Sequence, residues 1–242
     1  MTLNIRNKYL KILRKLFFYN RFLNNGEYNL KKFVKYISSK IPSGESVLDA
    51  GAGECQYKKY FEHTNYVSQD LGIGDNAWDY SQLDIKSEIY SIPVADNSFD
   101  HILCIEVLEH LKYPHKAFME FSRILKPGGT LYVVCPLTWE EHQKPYDYFR
   151  YTQFGLQALG NDVGFKITTI RKHGGKYILL SNLINGFIPG LFFDIELNLI
   201  GYILKVILYP VNLLTGFIFY ILNIMDRKKN FVTQYEVIYV KQ

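Results

Sequence analysis

The sequence predicts an α/β protein built on a largely parallel sheet with helices over its faces. Short apolar runs, "SVLDA", "NYVSQDL", "SQLDI", "FDHILCI" and "GTLYVVCP", recur between Ser46 and Pro136. Helical stretches separate most of them, and two later segments, "FKITTI" and "TQYEVIYV", alternate as half-buried strands do. Each parallel connection needs a right-handed crossover, so this alternation covers a sheet on both sides.

Taken in order, residues 3–18 place Leu3, Tyr9, Leu10, Leu13, Leu16 and Phe17 at roughly helical spacing with basic residues between them. That is a basic amphipathic helix, and its charges break the uninterrupted apolar run a secretory signal needs. A second helix is expected over 29–40, stopped by Pro42 and Gly44. "SVLDA" follows as a buried strand, then the small residues Gly51, Ala52 and Gly53 and an expected helix start near Glu54. "NYVSQDL" is the second strand, "SQLDI" a weak third and "FDHILCI" the fourth. A helix over 114–125 closes in a turn at Lys126, Pro127, Gly128 and Gly129, and "GTLYVVCP" is the fifth strand.

Composition narrows the function. A chain of 242 residues with 48% hydrophobic content supports one large domain with decorations. The net charge of +5 gathers near the N-terminus and at Arg227, Lys228 and Lys229. It forms no stripe interleaved with base-stacking aromatics, which argues against nucleic acid and for an anionic membrane surface. Cys55, Cys104 and Cys135 are odd in number and lack metal-ligand spacing, so neither disulfides nor zinc are expected and the compartment reads as reducing and cytoplasmic.

In an open parallel sheet, ligands collect at the carboxyl ends of the strands. The loop after Asp49 lies there, and the expected helix would aim the N–H groups from Gly51 to Glu54 into the crevice. Asp70 ends the second strand, where a carboxylate accepts from two vicinal ribose hydroxyls. Asp84 ends the third, in reach of an adenine amino group, with Ile85 to pack on the ring. A dinucleotide site would need a third glycine at Gln56, so the ligand expected is one without phosphates.

"VLDAGAGEC", Asp70, "LDI", "FDHILCIEVLEHL" and "RILKPGGTLYVVCP" together resemble the class I S-adenosylmethionine-dependent methyltransferases in type, order and spacing. The resemblance covers about residues 43–170 and resumes at 231–242. It implies a Rossmann-like seven-stranded sheet of order 3-2-1-4-5-7-6 with the last strand antiparallel, and S-adenosylmethionine as cofactor. Carried onto this chain, it sets Gly51 and Gly53 along the methionine tail and Asp49 near its ammonium. Asp70 and Leu71 then hold the ribose, Asp84 and Ile85 the adenine, and Ile105 with Glu106 closes the site.

Methyl transfer needs an aligned nucleophile and a base of near-neutral pKa, which makes His142, after the fifth strand, and His110, after the fourth, the candidates. Glu106 and His110 would share one helix face, and with Glu109 they offer hard ligands, yet without a clear fourth ligand no metal is expected. "YDYFRYT" resembles a segment of methyltransferases from surface-polysaccharide gene clusters. Tyr146, Tyr148 and Arg150 are accordingly expected to meet the substrate, although Arg150 is equally suited to brace the loop.

Within residues 177–230 the stretch from Tyr177 to Met225 is strongly apolar, and from Val206 to Met225 none is charged. Asp194, Asn198, Gly201, Lys205, Asn212 and Asn223 fall on one polar stripe, and Pro210 stands where a second helix would begin. The domains expected are a helical extension over 1–42, the methyltransferase domain over 43–176 and 231–242, and this insertion between the last two strands. The insertion is read as a monotopic hairpin docked on the cytoplasmic membrane, with a spanning hairpin, a lid or a homodimer interface as its alternatives. The acceptor expected is a small molecule or a lipid-linked glycan, methylated on oxygen. A quinone-like or other apolar acceptor is the alternative enzyme reading, and a non-catalytic membrane-associated binding module the alternative outside enzymes.

Overall fold

A computed structural model describes residues 25–74, 78–193 and 200–242, the described parts of 185–209 by their backbone alone. The amphipathic helix expected over 3–18, and Asp194 and Asn198 of the polar stripe, lie outside the described residues.

Helix α1 (Asn25–Ser38) buries Leu30, Phe33, Val34 and Ile37, the one-sided spacing of a helix against a core. Strands β1 (Ser46–Ala50), β2 (Asn65–Asp70), β3 (Ile85–Lys86) and β4 (Phe99–Ile105) follow, then α2 (Pro114–Ile124), β5 (Leu125–Pro136), α3 (Gln153–Asn161), β6 (Phe165–His173), α4 (Lys176–Phe193), α5 (Ile200–Met225) and β7 (Gln234–Lys241). The sheet has seven strands in the order β3-β2-β1-β4-β5-β7-β6. The pairs β2 with β3, β1 with β2, β1 with β4, and β4 with β5 are parallel, and β7 runs antiparallel to β5. This is the fold class and strand order the resemblance implied.

The central strands carry Val47, Leu48, Ile102, Leu103, Cys104, Val133 and Val134 fully buried, as strands covered on both faces require. Phe118 on α2 meets the rings of Phe165 and Tyr239, and the Tyr239 hydroxyl donates to the Leu156 carbonyl on α3. That cluster pins the antiparallel end of the sheet to its helices.

Three expectations need correction. The run after Gly53 is no α-helix but a chain of turns with one 3-10 turn at Lys58–Tyr60, because Cys55 at φ +55° cannot continue a right-handed helix. Lys126 to Gly129, read as a turn, belongs to the long strand β5, whose pairing with β4 is irregular between Phe99 and His101. Pro210 starts no new helix: α5 runs through it from Ile200 to Met225. Among the described residues no helix is long and apolar enough to cross a membrane.

The chain forms two compact units. One holds Lys32–Lys172 and Gln234–Gln242, which includes nearly all of the sheet. The other holds His173–Thr233 with the described residues up to Lys31, and in it α4 and α5 pack together.

Candidate functional site

The carboxyl end of the sheet carries two groups of side chains. The first surrounds the loop after β1. Gly51 sits at φ +84°, and a Cβ there would stand 2.4 Å from Val107 Cγ2, so no larger residue fits between this loop and the segment after β4. The N–H groups of Gly51 and Ala52 donate to the Gln69 carbonyl, and that of Gly53 to Asp70 Oδ2 at 2.9 Å. These donors were expected to face a ligand from a helix start, and the loop itself uses them instead. Asp70 Oδ1 accepts from Gly72 N–H at 2.7 Å, so one carboxylate ties the loops after β1 and β2. Leu71 follows it, half-buried.

Asp49 is 1% exposed and accepts the Tyr66 hydroxyl at 2.6 Å. Burial raises its pKa to about 7, against the hydroxyl's pull, and the nearby Asp70 adds to the rise. Among the described residues neither carboxylate has a cationic partner. A buried acid beside a second acid and a glycine loop is an anionic seat, and it fits the ammonium and sulfonium of S-adenosylmethionine. Asp84 behaves differently. Its Oδ2 accepts from both the N–H and the hydroxyl of Ser68, which hold the carboxyl below its usual range, and Ile85 begins β3 opposite Gln69. Trp78 lies 3.3 Å from where a Gly53 Cβ would be, a neighbour that no periodicity signalled.

The second group lies after β4 and β5. Ile105 is buried, and Glu106 adopts φ +56°, a conformation that costs a non-glycine residue and concentrates at working sites. This breaks the helix expected through "EVLEHL", so Glu106 and His110 share no helix face. A 3-10 turn at Leu108–His110 replaces it. Glu109, 1% exposed, has its carboxyl pushed up to about 8, chiefly by burial, and His110 is held below its usual value for the same reason. The loop after β5 is strapped to this turn: Tyr148 and Phe149 N–H both donate to the Glu109 carbonyl, and the Tyr151 hydroxyl donates to that of Leu108. The strapping brings the rings of His110 and His142 to 4.7 Å.

Asp147 accepts the His142 N–H and pairs with Arg150, whose guanidinium holds the Asp147 carboxyl well below the usual range. Arg150 also donates to the carbonyls of Trp139, Glu140 and Phe149. The guanidinium is thus used as a brace for the loop. Tyr146 and Tyr148 stay exposed beside it. Asp147 is the site residue that sequence reasoning did not single out, although an acid three residues before an arginine was a readable signal for it.

A seven-stranded sheet of this order, with an acidic seat around a glycine loop, defines a class I methyltransferase fold. Residues 48–133 match the family model described as a methyltransferase domain, a match that supports S-adenosylmethionine as the cofactor. An uncharacterised protein of Methanocaldococcus jannaschii is 37% identical over 89 residues, 36% of this chain and 39% of that protein. The ubiquinone biosynthesis O-methyltransferase of Coxiella burnetii is 26% identical over 110 residues, 41% of this chain and 47% of that enzyme. The chain thus spans less than half the length of either curated relative. The crystal structure of YcgJ from Bacillus subtilis, 15% identical, superposes with a TM-score of 0.53 over 89% of this chain and 99% of that one, a likeness of fold.

Proposed function

We propose that the chain transfers the methyl group of S-adenosylmethionine to a hydroxyl of a small molecule or a lipid-linked glycan. The pairing of His110 with His142, at the same carboxyl end of the sheet as the acidic seat, is the observation that carries this reading. In the transfer the acceptor oxygen forms a bond to the methyl carbon, the carbon–sulfur bond breaks with its electrons left on sulfur, and the hydroxyl proton passes to an imidazole. His110, kept neutral by burial, is in the state a base requires. Asp70, Leu71 and Ile85 would hold the nucleoside, Gly51, Gly53 and Asp49 the methionine end, with Ile105 and Glu106 opposite. Asp84, tied to Ser68, serves by fixing β3. The exposed rings of Trp139, Tyr146, Tyr148 and Phe149 border the strapped loop and suit the faces of a sugar or an aromatic acceptor.

The reaction is assigned to a cytoplasmic membrane surface because the second unit is inside out. Val211, Leu214, Phe217, Ile218, Ile221 and Ile224 on α5 are exposed, whereas the side-chain oxygens of Asn212 and Asn223 are buried. Arg227 and Lys228, also exposed, follow the apolar face, and the Lys176 N–H donates to Asp226 beside them at 3.2 Å. An apolar face ending in cations is the pattern of a monotopic anchor on anionic lipid.

Two measurements test the proposal. Protein given methyl-labelled S-adenosylmethionine and membrane lipid extract is expected to put label into an alkali-stable ether in the lipid phase, and label confined to non-lipid products contradicts the lipid-linked acceptor. Sedimentation with vesicles is expected to carry the wild type down with anionic lipid and to leave a Leu214→Glu, Ile218→Glu variant in solution. A dimer in light scattering with no vesicle binding would assign the face to a second copy instead.

A further inference from the structure

We propose that the indole of Trp78 is the wall on which the purine of S-adenosylmethionine stacks, a position that neither the strand ends nor the family resemblance marked. The inference rests on the reading of the glycine loop as the cofactor seat. Three observations set the ring there.

First, Trp78 and Asp70 share one glycine. The indole Cζ3 lies 3.3 Å from where a Gly53 Cβ would be, and the Gly53 N–H donates to Asp70 Oδ2 at 2.9 Å. A ribose held by Asp70 therefore has its base within reach of the indole, because base and hydroxyls sit on the same sugar ring. Second, the ring is held from its other side. A Cβ on Gly74 would stand 3.1 Å from Trp78 Cζ3 and 2.6 Å from the Tyr80 hydroxyl, which accepts the Gly74 N–H at 2.8 Å. Glycine at 53 and at 74 thus leaves room for an indole between the loops after β1 and β2. Third, the chain around Trp78 runs in step with the glycine loop. The Asp79 N–H donates to Glu54 Oε1 at 3.2 Å, and the Gln82 carbonyl accepts the Cys55 thiol at 3.7 Å and the Ser68 hydroxyl at 3.4 Å. Trp78, Asp79 and Gln82 accordingly meet Gly53, Glu54 and Cys55 in order.

The indole is half-buried, so part of its surface stays open to a partner. A flat apolar ring suits the purine better than the ribose or the methionine end, whose hydroxyls and ammonium are donors that need acceptors such as Asp70 and Asp49. The connection that carries Trp78 also begins at Asp70 and ends at Ile85, the two strand ends expected to meet the ribose and the adenine.

The test is fluorescence titration of the full chain. It has two tryptophans, so Trp139→Phe leaves Trp78 as the one source of indole emission. S-adenosylmethionine and S-adenosylhomocysteine are each expected to quench that emission, saturating at the affinity calorimetry gives, and methionine alone is expected to leave it unchanged. Trp78→Ala should weaken both adenosyl compounds about 5- to 100-fold, the range of base stacking on an aromatic side chain, and Trp78→Phe, which keeps a ring, should weaken them less. The emission is read on the native Trp78, so it decides the matter should Trp78→Ala not fold. Calorimetric binding with unchanged emission, affinity that Trp78→Ala leaves unchanged or raises, or a loss confined to the charged S-adenosylmethionine would each overturn the proposal and leave the cofactor reading standing. No calorimetric binding by the wild type would overturn both.

Discussion

Asp49 links burial, pH and ligand. Its folded pKa of about 7 stands well above the ordinary carboxylate value, so its contribution to stability is fully present below that ordinary value and is lost as pH rises through 7. The loss amounts to roughly 4 kcal/mol at most for a shift of this size. Asp49→Asn should therefore raise the melting temperature of the ligand-free protein at pH 8 and leave it nearly unchanged at pH 4. Affinity for S-adenosylmethionine should move the other way, rising with pH through 7 as the carboxylate forms for the ammonium, and Asp49→Asn should flatten that profile in calorimetry. Gly51 makes a separate case, in which φ +84° and the 2.4 Å approach to Val107 act together. Gly51→Ala should destabilise by about 1–3 kcal/mol in urea unfolding, and Val107→Ala should recover only the steric part.

At the scale of elements, the loop after β5 owes its course to the 3-10 turn after β4 and to the Asp147–Arg150 pair. Arg150→Ala should speed hydrogen exchange over residues 142–151 and lower kcat/KM about 10- to 100-fold, with S-adenosylmethionine affinity nearly intact, because the hydrogen bonds of Arg150 go to its own loop, at Trp139, Glu140, Asp147 and Phe149. The strands were legible because each is a short apolar or alternating run bounded by turn residues, and α2 because Pro114 and an apolar stripe mark it. The failures have local causes. Left-handed backbone at Cys55 and at Glu106 halts two helices that periodicity alone would extend, and such conformations at non-glycine residues leave no compositional trace. Pro210 misled in the opposite sense, since one missing N–H inside a long helix is offset by the rest of its ladder. On α5 the apolar count was readable, but the outward aim of Leu214 and Ile218 was not, because facing depends on which side its partners occupy.

For the whole molecule, the sheet order sets where chemistry happens. The order reverses between β1 and β4, and the loops after these two strands open the crevice in which ligands of open α/β sheets bind. The joint position of Asp49, Gly51, Gly53 and Asp70, the proposed cofactor seat, was legible because they sit at strand ends, where position follows from topology. The joint placement of His110 with His142 was not, because a loop's return path depends on contacts such as Tyr148 N–H to the Glu109 carbonyl. The central claim is that the acidic seat around the glycine loop holds S-adenosylmethionine, and calorimetric titration with that compound, on the wild type and on Asp70→Ala, tests it most directly. The account predicts one molecule bound per chain and an affinity at least about 10-fold lower in the variant, which loses both the ribose acceptor and the tie to Gly53 and Gly72. Absence of binding, or binding that Asp70→Ala leaves unchanged, would contradict it.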